Sequence, residues 1–166
     1  MAFQTTINYT QAPGVAGDFC SVNPRASALS VPGGYLAGPN GLTVGLFAWA
    51  DTATGTILSN AGTGVPTCFV HRDMNALNGA YLQEYGMLIP AGQGVGEMFK
   101  AGDFFVKNAG ASAVTIGMKA FANNTNGTIS FAATGATVTG ATETKWFAQS
   151  AGAAGELIKM TSTPLG

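Results

Sequence analysis

The chain has 166 residues, a formal net charge of −1 and only 9% charged residues, against roughly 25% in an ordinary globular domain. A hydrophobic content of 46% excludes a disordered polyampholyte. Seven Lys and Arg balanced by eight Asp and Glu exclude a basic nucleic-acid binder. The composition predicts a surface with few charges, which favours a protein that packs closely against other proteins. The alternative is a fully solvated protein whose surface is polar but uncharged.

Residues 1–41 are predicted to form an extended N-terminal arm with short strands. Turn-forming residues dominate 11–17 and 31–34. Near the start, Phe3, Ile7 and Tyr9 fall on one face of an alternating segment. An arm of this kind is usually ordered by a partner or by a neighbouring subunit.

Residues 42–166 are predicted to form a β-sandwich or barrel domain, because short strands alternate there with Gly, Asn and Thr turns. In the last strand the apolar residues occupy the even positions, Ile158 and Met160. The predicted strands are 43–50, 65–70, 85–89, 104–107, 114–122, 128–131, 145–149 and 157–161.

Two local patterns interrupt the strands. An x-Ala-Gly-polar tetrapeptide recurs at 15–18, 36–39, 90–93 and 100–103; we expect tight corners there, since glycine adopts positive φ readily. Residues 73–83 are either a short helix capped by Asp73 or an extended or looped segment.

The sequence predicts synthesis in a reducing cytoplasm without membrane association. The N-terminus has neither the basic nor the apolar region of a signal peptide. No apolar stretch approaches the ~20 residues that span a bilayer. Cys20 and Cys68 are too few for a disulfide framework and are not spaced as metal ligands, so free thiols are expected, although a bond between them stays open.

The sequence indicates no catalytic, cofactor-binding or metal-binding residues. His71-Arg72-Asp73 echoes a kinase catalytic loop without the motifs that accompany it, and 135–140 has phosphate-loop glycines without the lysine. The carboxylates stand singly, as solvated turn residues do. The aromatic residues are interpreted as core, or alternatively as the lining of a sugar or peptide groove: Trp49, Phe104, Phe105, Trp146 and Phe147.

The order of motifs resembles the structural cement, or capsid decoration, protein family of tailed bacteriophages. The resemblance covers residues 1–107 at least, and its motifs are structural. They are Ala2–Tyr9, Val15–Phe19, Asn23–Arg25, Ala37–Gly45, Phe47–Asp51, Phe69–Arg72 and Leu88–Gly92.

The resemblance implies a jelly-roll-like β fold, a homodimer or homotrimer, and a place on the outer surface of the virion. There the protein would bridge major capsid proteins and reinforce the head against the pressure of packaged DNA, with no enzymatic activity, cofactor or nucleic-acid contact. We expect Phe3, Ile7 and Tyr9 to be anchors and Arg25 to be a polar contact. A carbohydrate-binding β-sandwich module is the alternative, and an enzyme is the least favoured class.

Overall fold

The computed structural model describes residues 14–29, 31–72 and 87–163. In these ranges the chain forms fourteen β-strands and no helix. The strands are β1 (Ala26–Ser27), β2 (Tyr35–Ala37), β3 (Leu42–Thr43), β4 (Phe47–Ala50), β5 (Ile57–Ser59), β6 (Cys68–Val70), β7 (Leu88–Ile89), β8 (Gly94–Val95), β9 (Met98–Ala101), β10 (Asp103–Lys107), β11 (Lys119–Asn123), β12 (Ile129–Ala132), β13 (Ala141–Ala148) and β14 (Leu157–Thr161).

The strands form a seven-stranded sheet, a five-stranded sheet and a two-stranded ribbon. The large sheet has the order β1-β9-β6-β4-β5-β2-β8, the smaller one the order β10-β14-β13-β11-β12, and the ribbon pairs β3 with β7. Pairing is antiparallel except between β2 and β5. No sheet in the described ranges closes into a barrel, so the all-β sandwich prediction is confirmed and the barrel alternative is not adopted.

The large sheet curls strongly. Four strands separate β8 from β9 in the sheet order, which in a flat sheet would place them about 24 Å apart. Only Gly96 and Glu97 join them along the chain, a link that spans about 11 Å at most. The sheet bends at β4, whose first half pairs with β6 and whose second half pairs with β5.

Two strands in the middle of the large sheet, β4 and β6, are buried on both faces. In β4, Phe47 and Trp49 face the five-stranded sheet while Ala48 faces the inside of the curl. In β6, Phe69 faces the five-stranded sheet, and Val70 faces the inside of the curl. Continuous apolar runs such as Phe-Ala-Trp-Ala are typical of strands covered on both sides, which is why these runs show no polar alternation.

The core between the two sheets is aromatic. Phe69 lies at its centre, 4.6 Å from Phe104 and 6.2 Å from Trp146 between ring centroids. From the five-stranded sheet, Ile158 and Met160 of β14 complete this core, as the alternation in the sequence predicts. The interpretation as core residues is therefore confirmed for Trp49, Phe104 and Trp146. Phe105 is buried outside this core, and Phe147 is half-buried.

Several predicted strands differ in extent from the observed ones. The predicted strand 43–50 is divided into β3 and β4 because Gly45 has a φ of +76°, and a Cβ there would lie 3.0 Å from the carbonyl carbon of Ala16. The predicted 114–122 strand begins at Lys119, and Val114 forms only an isolated bridge to Gly152. By contrast, the prediction for 157–161 agrees with β14 at both ends.

The described part of residues 1–41 lies against the rest of the chain. β1 pairs with β9, and β2 lies between β5 and β8. Tyr35 and Ala37 are buried inside the curl. The division into an arm of residues 1–41 and a domain of residues 42–166 stays a prediction, as does the jelly-roll connectivity.

The x-Ala-Gly corners are confirmed at three of four positions. Gly17, Gly92 and Gly102 have positive φ. Gly38 is required for a different reason, since a Cβ there would lie 2.9 Å from the carbonyl oxygen of Leu58. The helix-or-loop prediction for 73–83 falls outside the described residues. In the ranges that the structure covers, no helix has the length and hydropathy needed to cross a membrane.

Candidate interaction surfaces

Arg25 is the one predicted contact residue that falls within the described part of the chain; Phe3, Ile7 and Tyr9 lie outside it. The Arg25 side chain is exposed, and its guanidinium carbon lies 4.0 Å from the centroid of the Phe19 ring. Among the described residues it forms no ion pair. The cation–π contact orients a guanidinium whose hydrogen-bond donors remain available to a partner.

Phe19 connects Arg25 to the aromatic core. Its ring stacks on His71 at 4.1 Å and contacts Phe99 at 5.2 Å and Phe104 at 5.1 Å between centroids. His71 Nδ1 lies 2.7 Å from the carbonyl oxygen of Gly17, so Nδ1 carries the proton and donates it. His71 is thus a structural residue that fixes the N-terminal segment, here defined as residues 14–20.

The N-terminal segment adds to the edge of the five-stranded sheet beside β10. The Gly17 amide donates to the Phe105 carbonyl at 2.8 Å, and the Phe105 amide donates to the Asp18 carbonyl at 2.9 Å. Gly14 lies against the Phe105 ring so closely that a Cβ there would come within 2.6 Å of it. Residue 14 is therefore fixed on the outer face of this sheet.

The other side of the N-terminal segment is held by the end of β6. The Arg72 amide donates to the Gly17 carbonyl at 3.1 Å, and Arg72 Nε donates to Asp18 Oδ1 at 2.8 Å. Because these side chains are about one-third exposed, the pair adds little stability by itself. Its geometric effect is to join the segment to both sheets.

Exposed large apolar side chains occur mainly at edges and corners. Leu36 and Ile57 are neighbours on the parallel pair β2 and β5. Val22 and Leu29 lie on either side of β1, the edge strand of the large sheet. The remaining exposed residues of this class in the described ranges are Val15, Val65, Leu88 and Ile116.

A groove of about 400 Å³ opens between the two sheets; we call it the inter-sheet groove. Its walls come from three places: the chain entering β6, the end of β9 and the middle of β13. Ten residues line it: Phe47, Val65, Pro66, Thr67, Cys68, Phe99, Lys100, Thr144, Lys145 and Trp146.

A bulge in β13 forms one wall of the inter-sheet groove. Lys119 pairs with Phe147 but Phe121 pairs with Glu143, so two extra residues lie in β13 between these positions. The Thr144 hydroxyl fixes the bulge by donating to the Ala120 carbonyl at 2.7 Å. Bulges commonly re-aim side chains, and this one brings Lys145 and Trp146 to the groove.

The two cysteine thiols lie in surroundings that disfavour the thiolate form. Burial raises the pKa of Cys68 to about 12 and that of Cys20 to about 11, so neither thiol is a nucleophile at neutral pH. Both cysteines are free, as the sequence predicts. In the ranges covered by the structure, no cluster of His, Cys, Asp and Glu has metal-binding geometry.

A family model describing the XM1 gp53 minor capsid protein matches residues 3–162. This chain belongs to that family. The resemblance to capsid-associated proteins of tailed phages is therefore confirmed, and the protein is a structural component of the phage capsid.

Among solved structures, a chain of the capsid of Myoviridae phage XM1 has a similar fold, with a TM-score of 0.65. The identity is 17%, and the similarity covers 98% of each chain. No curated protein sequence matches this minor capsid protein. At this identity the structural likeness establishes the shared β fold.

The inter-sheet groove and the N-terminal segment could not be read from the sequence. The sequence predicts a strand that includes Val65 and Pro66, whereas β6 begins at Cys68. It predicts no strand at β9, which carries Phe99. The available signal for β9 was the apolar pair Met98-Phe99 between two glycines, Gly96 and Gly102. No local pattern marks the β13 bulge, because it depends on the register with β11.

Proposed function

We propose that this minor capsid protein is a cement protein of the outer capsid surface. It bridges neighbouring major capsid proteins as a homodimer or homotrimer and stabilises the mature head against internal DNA pressure. It acts without catalysing a reaction and without a cofactor. It does not contact the genome, since its seven basic residues are balanced by eight acidic ones.

The observation that carries this proposal is the attachment of the N-terminal segment to both sheets. Gly17 is bonded to Phe105 on one side and to Arg72 on the other. A force on the chain upstream of residue 14 therefore acts on the whole sandwich. A bridge that holds two neighbours through one rigid body requires several interfaces to break together.

The proposed capsid contacts are Phe3, Ile7 and Tyr9 as apolar anchors and Arg25 as a polar contact. Addition of an extended segment to a strand of the capsid protein would supply backbone hydrogen bonds, with alternate side chains providing specificity. Arg25 supports this role because its charge is exposed and held in place by Phe19. A standard interface buries on the order of 1,600 Å².

Deletion of residues 2–10 tests the proposal. Wild-type protein should co-sediment with heads that lack it and raise their resistance to heat, whereas the deletion variant should not bind. Circular dichroism should show that the variant retains the β fold, because β1–β14 lie outside the deletion. Undiminished binding of the variant would contradict the arm model.

Surface labelling tests the location. Lysine-directed biotinylation should label Lys107 and Lys159 of this protein as readily in intact virions as in disrupted ones, since both side chains are exposed and neither lines the inter-sheet groove. Labelling that appears only after disruption would place the protein inside the shell. The carbohydrate-binding alternative is not proposed, because four of the five aromatic residues it would use are buried.

A further inference from the structure

The inter-sheet groove combines an apolar floor with a charged rim. Phe47, Phe99 and Trp146 form the floor. On the rim, Val65 is 69% exposed, and the side chains of Lys100 and Lys145 are exposed. A volume of about 400 Å³ is within the range of sites that hold a ligand or an anchoring side chain.

The charge of the groove is uncompensated. None of the ten lining residues is acidic. Among the described residues the salt bridge found is Arg72–Asp18, and neither Lys100 nor Lys145 takes part in one. Two positive charges therefore flank an apolar floor in a protein that has only seven basic residues.

We propose that the inter-sheet groove binds an extended segment of a neighbouring capsid protein that carries an apolar side chain next to Asp or Glu. The apolar side chain packs beside the exposed Val65, above the almost fully buried rings of Phe99 and Trp146, and the carboxylate lies between Lys100 and Lys145. This inference names a docking site and its partner, and it rests on the proposed function. Charge complementarity indicates an acidic partner, because the groove lining carries two lysines and no acidic side chain.

Other occupants fit the groove less well. Residues 1–13 of a second copy contain no acidic side chain, so they offer nothing to the two lysines. A ligand that bonds covalently to Cys68 in the groove wall is disfavoured, because burial raises the pKa of this thiol to about 12. An anchoring side chain in a pocket with a polar rim around it is a common arrangement in protein interfaces.

Charge reversal tests the proposal. The double variant Lys100→Glu and Lys145→Glu should bind heads at least tenfold more weakly than wild type, with the same melting temperature, because both side chains are exposed. Lys107→Glu is the matched control, since it reverses an exposed lysine of β10 away from the groove, and it should bind as wild type does. Equal binding by the double variant would overturn the groove proposal while leaving the cement role intact.

A second measurement separates the two proposals. Twelve-residue peptides that tile the major capsid protein of the same virion are titrated into the wild-type protein and followed by NMR. Peptides with an acidic residue beside an apolar one should shift the Trp146 indole signal, and the double variant should not respond. A response without head binding would support the groove and contradict the cement role; the absence of any response would contradict the groove. If the double variant instead dissociated an oligomer of this chain, a second copy would be the occupant and the proposal would be wrong.

Discussion

Asp103 Oδ2 accepts a hydrogen bond of 2.6 Å from the hydroxyl of Ser21, a residue 82 positions earlier in the chain. The same carboxylate accepts a bond from Asn23 Nδ2 and, through Oδ1, one from the Thr161 hydroxyl, each at 2.6 Å. Asp103 thus joins the chain preceding β1 to the start of β10 and the end of β14. All three donors belong to polar, uncharged side chains.

Replacement of Asp103 by alanine should therefore loosen the N-terminal part of the fold. The loss of three charge-assisted hydrogen bonds at a half-buried site should lower the free energy of unfolding by about 2 kcal/mol. Urea unfolding followed by tryptophan fluorescence measures this change. Glu97→Ala is the control, because it removes an exposed carboxylate and should have almost no effect; equal losses in the two variants would contradict the role of Asp103.

Acid should destabilise the protein through two carboxylates. Asp51 accepts backbone hydrogen bonds from Thr54, Ile57 and Thr56, which lower its pKa from 3.8 to about 2. Burial raises the pKa of Asp103, but its three hydrogen bonds outweigh this effect and lower it overall. Because both groups have a lower pKa in the folded state, their stabilisation is complete above the unfolded pKa and is lost as the pH falls from about 4 towards 2.

The variant Asp51→Asn checks this pH dependence. At neutral pH it should unfold at lower urea concentration than wild type, since an amide is a weaker acceptor for the three backbone N–H groups of the β4–β5 loop. As the pH falls from about 4 to 2 the difference should shrink, because Asp51 of the unfolded wild-type chain takes up a proton at higher pH than Asp51 of the folded protein does. Parallel stability profiles from pH 7 to pH 2 would show that Asp51 does not contribute in this way.

Gly127 should be intolerant of any side chain. It has a φ of +70°, and a Cβ would lie 2.3 Å from the Phe47 carbonyl oxygen and 3.0 Å from that of Asn60. The Phe47 amide also donates to the Gly127 carbonyl at 3.1 Å, so the turn between β11 and β12 touches β4 of the other sheet. The turn cannot move away without breaking that hydrogen bond.

Comparison of two alanine variants measures this close approach. Gly135 has a similar φ of +76° with nothing near its Cβ position, so Gly135→Ala should cost about 1 kcal/mol from backbone strain alone. Gly127→Ala should cost at least twice as much, because the steric conflict adds to the same strain. Thermal unfolding by circular dichroism gives both values, and equal costs would refute the contact.

How much of this fold the sequence predicts depends on whether a strand shows alternation. The sequence predicts both ends of β14 correctly, because Ile158 and Met160 face the core while Lys159 faces solvent. Strands of two or three residues, such as β1 and β8, are too short to show a period. They form because a neighbouring strand is present, and this pairing is between residues far apart in the chain.

The candidate surfaces, like the strands, could be predicted only where the signal lies in one local segment of the sequence. The scarcity of charge in the sequence favours Arg25 as a polar contact, and the structure leaves its side chain exposed. Its support by Phe19, however, depends on the pairing of Phe19 with Phe104. The inter-sheet groove likewise depends on a register shift in β13 and on the curl of the large sheet. Non-local geometry of this kind leaves no pattern in either segment alone.

The Arg25–Phe19 contact should be measurable by a double-mutant cycle with Arg25→Ala and Phe19→Leu. A cation above an aromatic ring at an exposed site contributes about 0.5–1 kcal/mol, so the coupling energy from urea unfolding should fall in that range. Leucine keeps apolar packing against Phe99 and Phe104 while removing the ring face.

If Arg25 is also a capsid contact, Arg25→Ala should reduce head binding far more than its small stability loss explains. Phe19→Leu should reduce head binding less, because the charge of Arg25 remains. Zero coupling in unfolding would mean that Phe19 does not hold the guanidinium, and unchanged head binding by Arg25→Ala would remove Arg25 from the proposed contacts.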